Sequence, residues 1–359
     1  MSKCIIAMSG GVDSAVAAYL MKNSGHECIG ITMKLFDNAD INLSKAHTCC
    51  SLDDVQDARS VAYSLGMPHY VFNFADRFRE TVINKFVESY ENASTPNPCI
   101  DCNKYLKFDK LYSRAKELDY NYVVTGHYAV VEYSEKVNRY ILKKSHDPRK
   151  DQTYVLWTLT QEQLAHTYFP LGTLTKSEVR KIAEENGFIN AKKHDSQDIC
   201  VVPDGKYAEF IEKYRGKKYP EGNFIDTEGN LIGKHRGIIH YTLGQRRGLG
   251  ISSDGRLYVC RIDPEHNAVT LGKEEDLYST TLTASNINLI SVPRLDKPTR
   301  LELKVRYSQN GAMATVTQTG DDMITAVFDT PQRAITRGQS VVMYDGDVVV
   351  GGGIISGSY

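Results

Sequence analysis

Met8-Ser9-Gly10-Gly11-Val12-Asp13-Ser14 stands between an apolar run, Cys4 to Ala7, and an amphipathic stretch from Ala15 to Lys22. This order reads as a strand, a tight glycine turn and the first turn of a helix. Gly10 and Gly11 lack a Cβ, so the backbone there can take positive φ and close its N–H groups on an anion. A helix starting near Asp13 adds unpaired N–H donors and the positive end of its dipole. Ser9 and Ser14 supply hydroxyls at the same rim. The Gly-Lys-Ser/Thr ending of a Walker loop is absent, so no lysine is expected at the phosphates. The bland alternative is a strand–helix turn that merely needs glycine. Two adjacent glycines flanked by hydroxyls favour a phosphate cradle.

Outward from this turn the chain alternates strand and helix. Strands are expected over 3–8, 27–33, 69–73 and 122–125, with helices over 13–24, 52–65, 77–91 and 103–118. That alternation implies an α/β fold, with a doubly wound parallel sheet, right-handed crossovers and helices on both faces. Ligands of such sheets bind beyond the carboxyl ends of the strands, where Met8, Met33, Asn73 and Gly126 all fall. A hairpin is expected over 129–144, and helical stretches near 153–164 and 176–186. A basic, glycine-rich region runs from about 203 to 250. After about Leu257 the chain reads as short strands, 257–262, 268–271, 301–307, 312–318, 324–328, 340–345 and 348–355, which suggest a small β-barrel. The expected division is 1–202, a small central domain over 203–280, and a C-terminal β-barrel over 281–359.

A chain of 359 residues exceeds what one core normally holds, in keeping with two or three domains. Its formal net charge of −1 gives no global case for nucleic acid. Local basic clusters do exist: Lys143-Lys144 with Arg149-Lys150, Lys213 to Lys218, Lys234-His235-Arg236 and Arg246-Arg247. Any single one reads more simply as a solvated face. No apolar run is long enough to span a bilayer, and a strand starting at Lys3 leaves no room for a signal peptide. A cytoplasmic setting follows as the expectation. The eight cysteines should then be reduced thiols, with conspicuous pairs reactive or metal-binding. Cys4, Cys28 and Cys260 sit in apolar strand patterns and read as inert core residues.

Two further segments carry chemistry. In Thr95-Pro96-Asn97-Pro98-Cys99-Ile100-Asp101-Cys102-Asn103-Lys104 the prolines hold the chain extended and the cysteines fall where the next helix should begin. A thiol at a helix N-terminus has a lowered pKa, and Lys104 and Lys107 push the same way. A lone Cys-x-x-Cys is ambiguous among redox, zinc and iron–sulfur roles. It lacks a thioredoxin context, and there is no second pair for a zinc ribbon. Lys193-His194-Asp195-Ser196-Gln197-Asp198-Ile199-Cys200 places another cysteine in a polar loop; alone, Cys200 reads as a small buried hydrophobe.

The Ser-Gly-Gly-Val-Asp-Ser pattern resembles the PP-loop of ATP pyrophosphatases, of the adenine nucleotide alpha hydrolase type, which split ATP into AMP and pyrophosphate. Taken together, the segments resemble the tRNA-specific 2-thiouridylases almost end to end. The resemblance includes Cys49-Cys50-Ser51-Leu52-Asp53-Asp54-Val55 with Asp57-Ala58-Arg59, and Thr125-Gly126-His127-Tyr128. It continues through Lys150-Asp151-Gln152-Thr153-Tyr154 and Tyr241-Thr242-Leu243-Gly244-Gln245-Arg246-Arg247-Gly248-Leu249-Gly250. The resemblance implies ATP, with Mg2+, as the cofactor, and the wobble uridine of the glutamine, glutamate and lysine tRNAs as the target. It implies a cysteine desulfurase or sulfur-relay protein as the sulfur donor.

Matched position by position, the resemblance implies nucleotide contacts at Ala7, Met8, Ser9, Gly10, Gly11, Val12, Asp13, Ser14, Met33 and Gly126. Asn97, Pro98 and Cys99 match the stretch that meets the target base. His127, Lys150, Asp151, Gln152, Arg306, Tyr307 and Gln339 match tRNA contacts, although His127 reads equally as a satisfied core histidine. The family's catalytic pair falls on Cys102 and Cys200. The residue matching Cys200 carries a persulfide, the one matching Cys102 completes sulfur release, and a disulfide between them is the product state. Many members carry an acidic residue where this chain has Cys99, and Asp101 is two positions away. Cys99, Cys102 and Cys200 could instead hold an iron–sulfur cluster whose open iron carries the sulfur. Two other readings stand beside this one. A glutamine-fed nucleotide synthetase would have no use for three cysteines, and a non-catalytic tRNA-binding or sulfur-carrying module would leave the phosphate cradle without purpose.

Overall fold

The computed structural model describes residues 1–36, 52–193, 202, 205–252 and 255–359. Cys49, Cys50 and Cys200, with the loop around Cys200, lie outside the described residues. The apolar run after Lys3 forms β1 (Lys3–Ala7) and leads through the glycine turn into α1 (Val12–Asn23). There follow β2 (Glu27–Lys34), α2 (Leu52–Ser64) and β3 (His69–Asn73).

The segment expected as one helix over 77–91 starts earlier and is composite. It comprises α3 (Ala75–Phe78), a wider π-helical stretch (Arg79–Ile83) and α4 (Asn84–Glu91). The next is composite too: α5 (Pro98–Cys102), a π-helical stretch (Asn103–Lys110) and α6 (Leu111–Glu117). Side-chain periodicity hardly separates a π turn from an α turn, so the sequence pattern could not show either. π turns are rare and often sit at functional sites.

β4 (Tyr122–Val124) pairs with β1; after the hairpin β5 (Val130–Ser134) and β6 (Arg139–Lys143), α7 (Gln161–Ala165) leads to β7 (Thr167–Tyr168). The sheet order is β3-β2-β1-β4-β7 with every pair parallel. Both faces of β1 are covered, which explains why its sequence is apolar from Cys4 to Ala7. Ile5, Ile29, Ile31 and Val123 pack on one side with Phe78, Phe86 and Leu106. Cys4, Ile6, Met8 and Val124 pack on the other with Val16, Ala17 and Val179. Adjacent residues of a strand thus feed opposite cores. The stretch expected as helical near 153–164 is a single 3-10 turn, Thr153–Val155, followed by α7.

Beyond α8 (Lys176–Glu185) and α9 (Tyr207–Arg215) lies a second sheet built from β8 (Gly222–Ile225), β9 (Leu231–His235), β10 (Tyr258–Asp263) and β11 (Ala268–Gly272). Its order is β10-β11-β8-β9. The strands near 257–262 and 268–271, read with the run of short strands that suggests the barrel yet inside the 203–280 division, belong to this sheet, where β11 runs parallel to β8. Cys260, on β10, is partly exposed rather than core, and burial with the nearby Asp276 carboxylate raises its thiol pKa to about 11.

The barrel consists of β12 (Tyr278–Leu289), β13 (Thr299–Lys304), β14 (Ala312–Gly320), β15 (Met323–Arg333), β16 (Ser340–Asp345) and β17 (Val348–Ser358). β12 pairs with both β15 and β17, which closes six strands on themselves around Leu282, Leu303, Val316 and Ile324. The hairpin β5–β6 continues from β17, with Lys143 opposite Val348 and Leu142 opposite Val349. The barrel is thereby tied into the first domain. A second tie joins α4 to α9: Glu91 accepts from Arg215 at 2.7 Å and from Tyr219 at 2.5 Å, while Tyr90 stacks on Tyr207.

Candidate active site

Of the two glycines in the turn only Gly10 takes positive φ, +75°. A Cβ there would lie 2.4 Å from the Asp54 carbonyl oxygen, so the position is closed to every other residue. Gly11 is extended, φ −88°, and caps α1 without a side chain. The Ser14 hydroxyl bends back into the turn, donating to the Gly11 carbonyl at 3.0 Å and accepting from the Ser9 N–H at 3.2 Å. Ser9 itself is exposed. Gly126 follows the end of β4, and a Cβ on it would come within 2.8 Å of the Asp13 main chain. The two strand ends therefore touch through glycine backbone. Met8 has a side chain in the core, an N–H bound to Ile31 and a carbonyl bound to the Thr32 hydroxyl. Ala7 and Val12 are buried as well, and Met33 packs partly buried at the end of β2.

The turn sequence contains no lysine, yet the fold brings two to it from elsewhere. Lys176 at the start of α8 places Nζ 2.7 and 2.8 Å from the Asp13 carboxylate oxygens, and the Tyr128 hydroxyl donates to the same carboxylate at 2.8 Å. Lys193 places Nζ 2.6 Å from Asp54, 2.7 Å from Asp57 and 3.3 Å from the Gly10 carbonyl oxygen. Sequence reasoning missed both lysines, because spacing within the turn says nothing about charge delivered from α8 and the segment after it. Tyr128 and Asp54 did stand in quoted motifs, without a role.

Around the cysteines, Asn97 caps α5, its Oδ1 accepting from the Cys99 N–H at 3.1 Å, with Pro98 in the first helical position. Cys99 is exposed near the helix start, as expected. Cys102 is half-buried and lies a full turn in, at the junction with the π stretch, rather than at the helix start. Asp101 points the other way: it is buried, and Lys85 sits 2.5 Å from it. Burial outweighs that ammonium and pushes the carboxyl above its ordinary range.

Several of the expected tRNA-contact residues converge here. Gln339 donates to the Thr95 carbonyl at 2.8 Å and so ties the barrel to the stretch before Cys99. Tyr307 reaches the Asp151 carbonyl at 3.4 Å and packs edge-on against Tyr154. Burial, then the charges of Asp151 and Cys99, raise its phenol pKa. Gln152 pairs with Tyr128 by two hydrogen bonds, from the Tyr128 N–H to Oε1 at 2.9 Å and from its own N–H to the Tyr128 carbonyl at 3.0 Å. A continuous path thus runs from Asp151 and Gln152 through Tyr128 to Asp13.

The remaining positions are placed as follows. Arg306 is largely inward, donating to the Ala334 carbonyl at 2.8 Å and the Thr336 hydroxyl at 2.7 Å. His127 is buried between Phe108 and Phe169 with Nδ1 2.6 Å from the Thr125 hydroxyl. Burial, with a smaller push from Lys107, holds its pKa well below the usual range, so it is neutral. Lys150 is half-exposed, its N–H on the Asp147 carbonyl.

Three family models match in succession: a tRNA methyl transferase HUP domain over residues 2–204, a tRNA methyl transferase PRC-barrel domain over 208–273, and an aminomethyltransferase beta-barrel domain over 279–355. The tRNA-specific 2-thiouridylase of Clostridioides difficile is 51% identical over 356 residues, 99% of this chain and 98% of that protein. That of Acetivibrio thermocellus is 51% identical over 354 residues, 98% of this chain and 99% of that protein. Among solved structures, a 4-thiouridine synthetase–RNA complex with bound ATP is 16% identical with a TM-score of 0.36, over 59% of this chain and 50% of that one, a distant likeness that carries no argument about chemistry. About half-identity over nearly the full length of both chains, with three successive family models matched, leaves one conclusion: the chain belongs to the family of tRNA-specific 2-thiouridylases.

Proposed function

We propose that the protein replaces the 2-oxygen of the wobble uridine in glutamine, glutamate and lysine tRNAs with sulfur, at the expense of ATP. The observation that carries this reading is the end-to-end identity with 2-thiouridylases, joined to one structural fact. The glycine turn is linked through Asp13, Tyr128, Gln152 and Asp151 to Tyr307, whose phenol feels the charge of Cys99. The two stages of the reaction then have one crevice.

A uracil carbonyl is stabilised like an amide and is a poor electrophile. Its O2 attacks the α-phosphorus of ATP, the bond to pyrophosphate breaks, and the base carries AMP as a leaving group. The Gly10–Ser14 turn supplies main-chain N–H groups and the α1 dipole to the phosphates. Asp13 is the hard oxygen donor of the turn and fits Mg2+ entering with ATP. The terminal sulfur of a persulfide on Cys200 then attacks C2 and AMP departs. Attack by the Cys102 thiolate on the Cys200 sulfur releases the thiolated base and leaves a Cys102–Cys200 disulfide, which a reductant resets. The target base must leave the anticodon stack to be reached, and the Asn97–Cys99 stretch with Tyr307 is where it would be received.

The word methyl transferase in two of the family descriptions is not supported by the site, whose turn and cysteines fit phosphoryl and sulfur transfer. A second mechanism, with an iron–sulfur cluster on Cys99, Cys102 and Cys200, is favoured by one feature: Cys99 stands where many members have a carboxylate, one helical turn from Cys102. The test is reconstitution with unmodified tRNA, ATP·Mg2+, cysteine and a cysteine desulfurase. It follows pyrophosphate, AMP and 2-thiouridine together. Pyrophosphate and 2-thiouridine in equal amounts are expected; no pyrophosphate would instead indicate a non-catalytic tRNA-binding module. Anaerobic purification with an absorption spectrum and iron assay separates persulfide from cluster.

A further inference from the structure

Gly10 and Gly11 share one planar trans peptide, so the Gly10 carbonyl and the Gly11 N–H point in opposite directions. Whatever grips the carbonyl therefore aims the N–H. Two side chains grip it. Asn190 Nδ2 lies 3.1 Å from the Gly10 oxygen and Lys193 Nζ lies 3.3 Å from it. Both come from the turn after α8, where the Lys193 N–H bonds the Asn190 carbonyl at 3.0 Å. We infer that Asn190 and Lys193 are positioning residues that turn the Gly11 N–H toward the phosphates of ATP. The inference rests on the nucleotide reading above and adds to it a pair of residues outside the glycine turn.

Three details separate this from ordinary packing. Asn190 is 2% exposed, and its Oδ1 has no partner among the described residues. A buried orphan acceptor costs stability that an apolar residue would avoid, so the amide is kept for its one hydrogen bond. Lys193 is fixed by two carboxylates on one face of α2, Asp54 and Asp57. Its single positive charge offsets one of their two negative charges beside a turn that must receive a polyanion. Finally, a Cβ on Gly10 would lie 2.4 Å from the Asp54 carbonyl oxygen, so only a glycine peptide fits against α2 here. Loss of its partners frees the peptide to rotate, and rotation would turn the Gly11 N–H away.

The test compares ATP·Mg2+ and adenosine binding to the full-length protein and to N190L, K193M and K193R by equilibrium dialysis. Adenosine, which has no phosphates, reports on the rest of the nucleotide site. ATP affinity should fall about tenfold or more in N190L and K193M, with adenosine affinity within about twofold of the unaltered protein. K193R, which keeps the charge, should stay within about threefold. Unchanged ATP affinity in N190L, or equal losses for ATP and adenosine, overturns the inference. If K193M fails to fold, N190L carries the test alone, since it leaves the Lys193 ion pairs in place. Failure of the unaltered protein to bind ATP overturns the proposed function itself, and this inference with it.

Discussion

Lys176, in the first turn of α8, closes on Asp13, in the first turn of α1, with Nζ 2.7 and 2.8 Å from the two carboxylate oxygens across 163 residues of chain. The lysine side chain is 12% exposed and the aspartate 31%, so the pair is only partly screened by water. It sets a cation at the mouth of the glycine turn and, with the Tyr128 hydroxyl, fixes the orientation of the carboxylate. Asp13→Ala should lower pyrophosphate release from ATP and unmodified tRNA about a hundredfold or more, before any sulfur moves. Lys176→Met should act on the same step. Detection of adenylated tRNA at the unaltered rate in the Asp13 variant would sink the assignment.

Cys102 borders the core while Cys99 is exposed, so the two thiols of this helix are not equivalent. Cys102→Ser and Cys200→Ser should each abolish 2-thiouridine formation, with tRNA affinity within about twofold and pyrophosphate release retained. An equal loss of tRNA binding would show that these thiols hold the fold rather than perform chemistry.

Four of the five strands of the doubly wound sheet were legible from local pattern; β7, two residues long, has no such mark. The apolar runs of β1 and β4 stop at Ala7 and Val124, with a glycine three residues after the first (Gly10) and two after the second (Gly126). The barrel was legible from its alternation except for β12, its longest strand. Tyr-Ser-Thr-Thr-Leu-Thr-Ala-Ser-Asn-Ile-Asn-Leu has only Leu282 and Ala284 deep in the core, so its hydrophobic signal is faint although its threonines suit a strand. Its length is required by closure, since it pairs with both β15 and β17, and closure is a tertiary demand with no local mark. The same holds in the site. Gly10 announces its own φ, whereas Lys176 stands in no motif and Lys193 stands in the segment quoted for Cys200 without a role of its own. Only the packing of α8 against α1 gives them a place beside the turn.

Gln339 joins the barrel to the stretch before Cys99 by donating to the Thr95 carbonyl at 2.8 Å, alongside the Thr95 N–H donating to Arg337 at 2.9 Å. Gln339→Leu should remove one neutral hydrogen bond, about 1 kcal/mol of stability. It should also raise the KM for tRNA several-fold while leaving ATP affinity unchanged, because the Asn97 cap moves and the phosphate turn does not. Unaltered tRNA kinetics would show that the stretch is held without this contact.

His127 makes the fold sensitive to acid. Burial keeps it neutral in the folded protein, with its pKa depressed well below the usual value, whereas the unfolded chain takes up the proton near pH 6.5. The unfolded state therefore binds more protons below that pH, and stability falls as pH drops, by up to about 1.4 kcal/mol per pH unit from this group. Above about pH 6.5 neither state is protonated there and the contribution is flat. The groups facing it are the Thr125 hydroxyl, the Phe108 and Phe169 rings and, through charge, Lys107; none can accept the extra proton in its place. His127→Gln keeps a hydrogen-bonding group for Thr125 and removes the titration. Its melting temperature should therefore decline less steeply than that of the unaltered protein between pH 6.5 and 5. His69, His235 and His240, also depressed by burial, should leave a residual slope in both. Parallel curves for the two proteins would mean that His127 is protonated in the folded state, and its pocket would then have to be open to water.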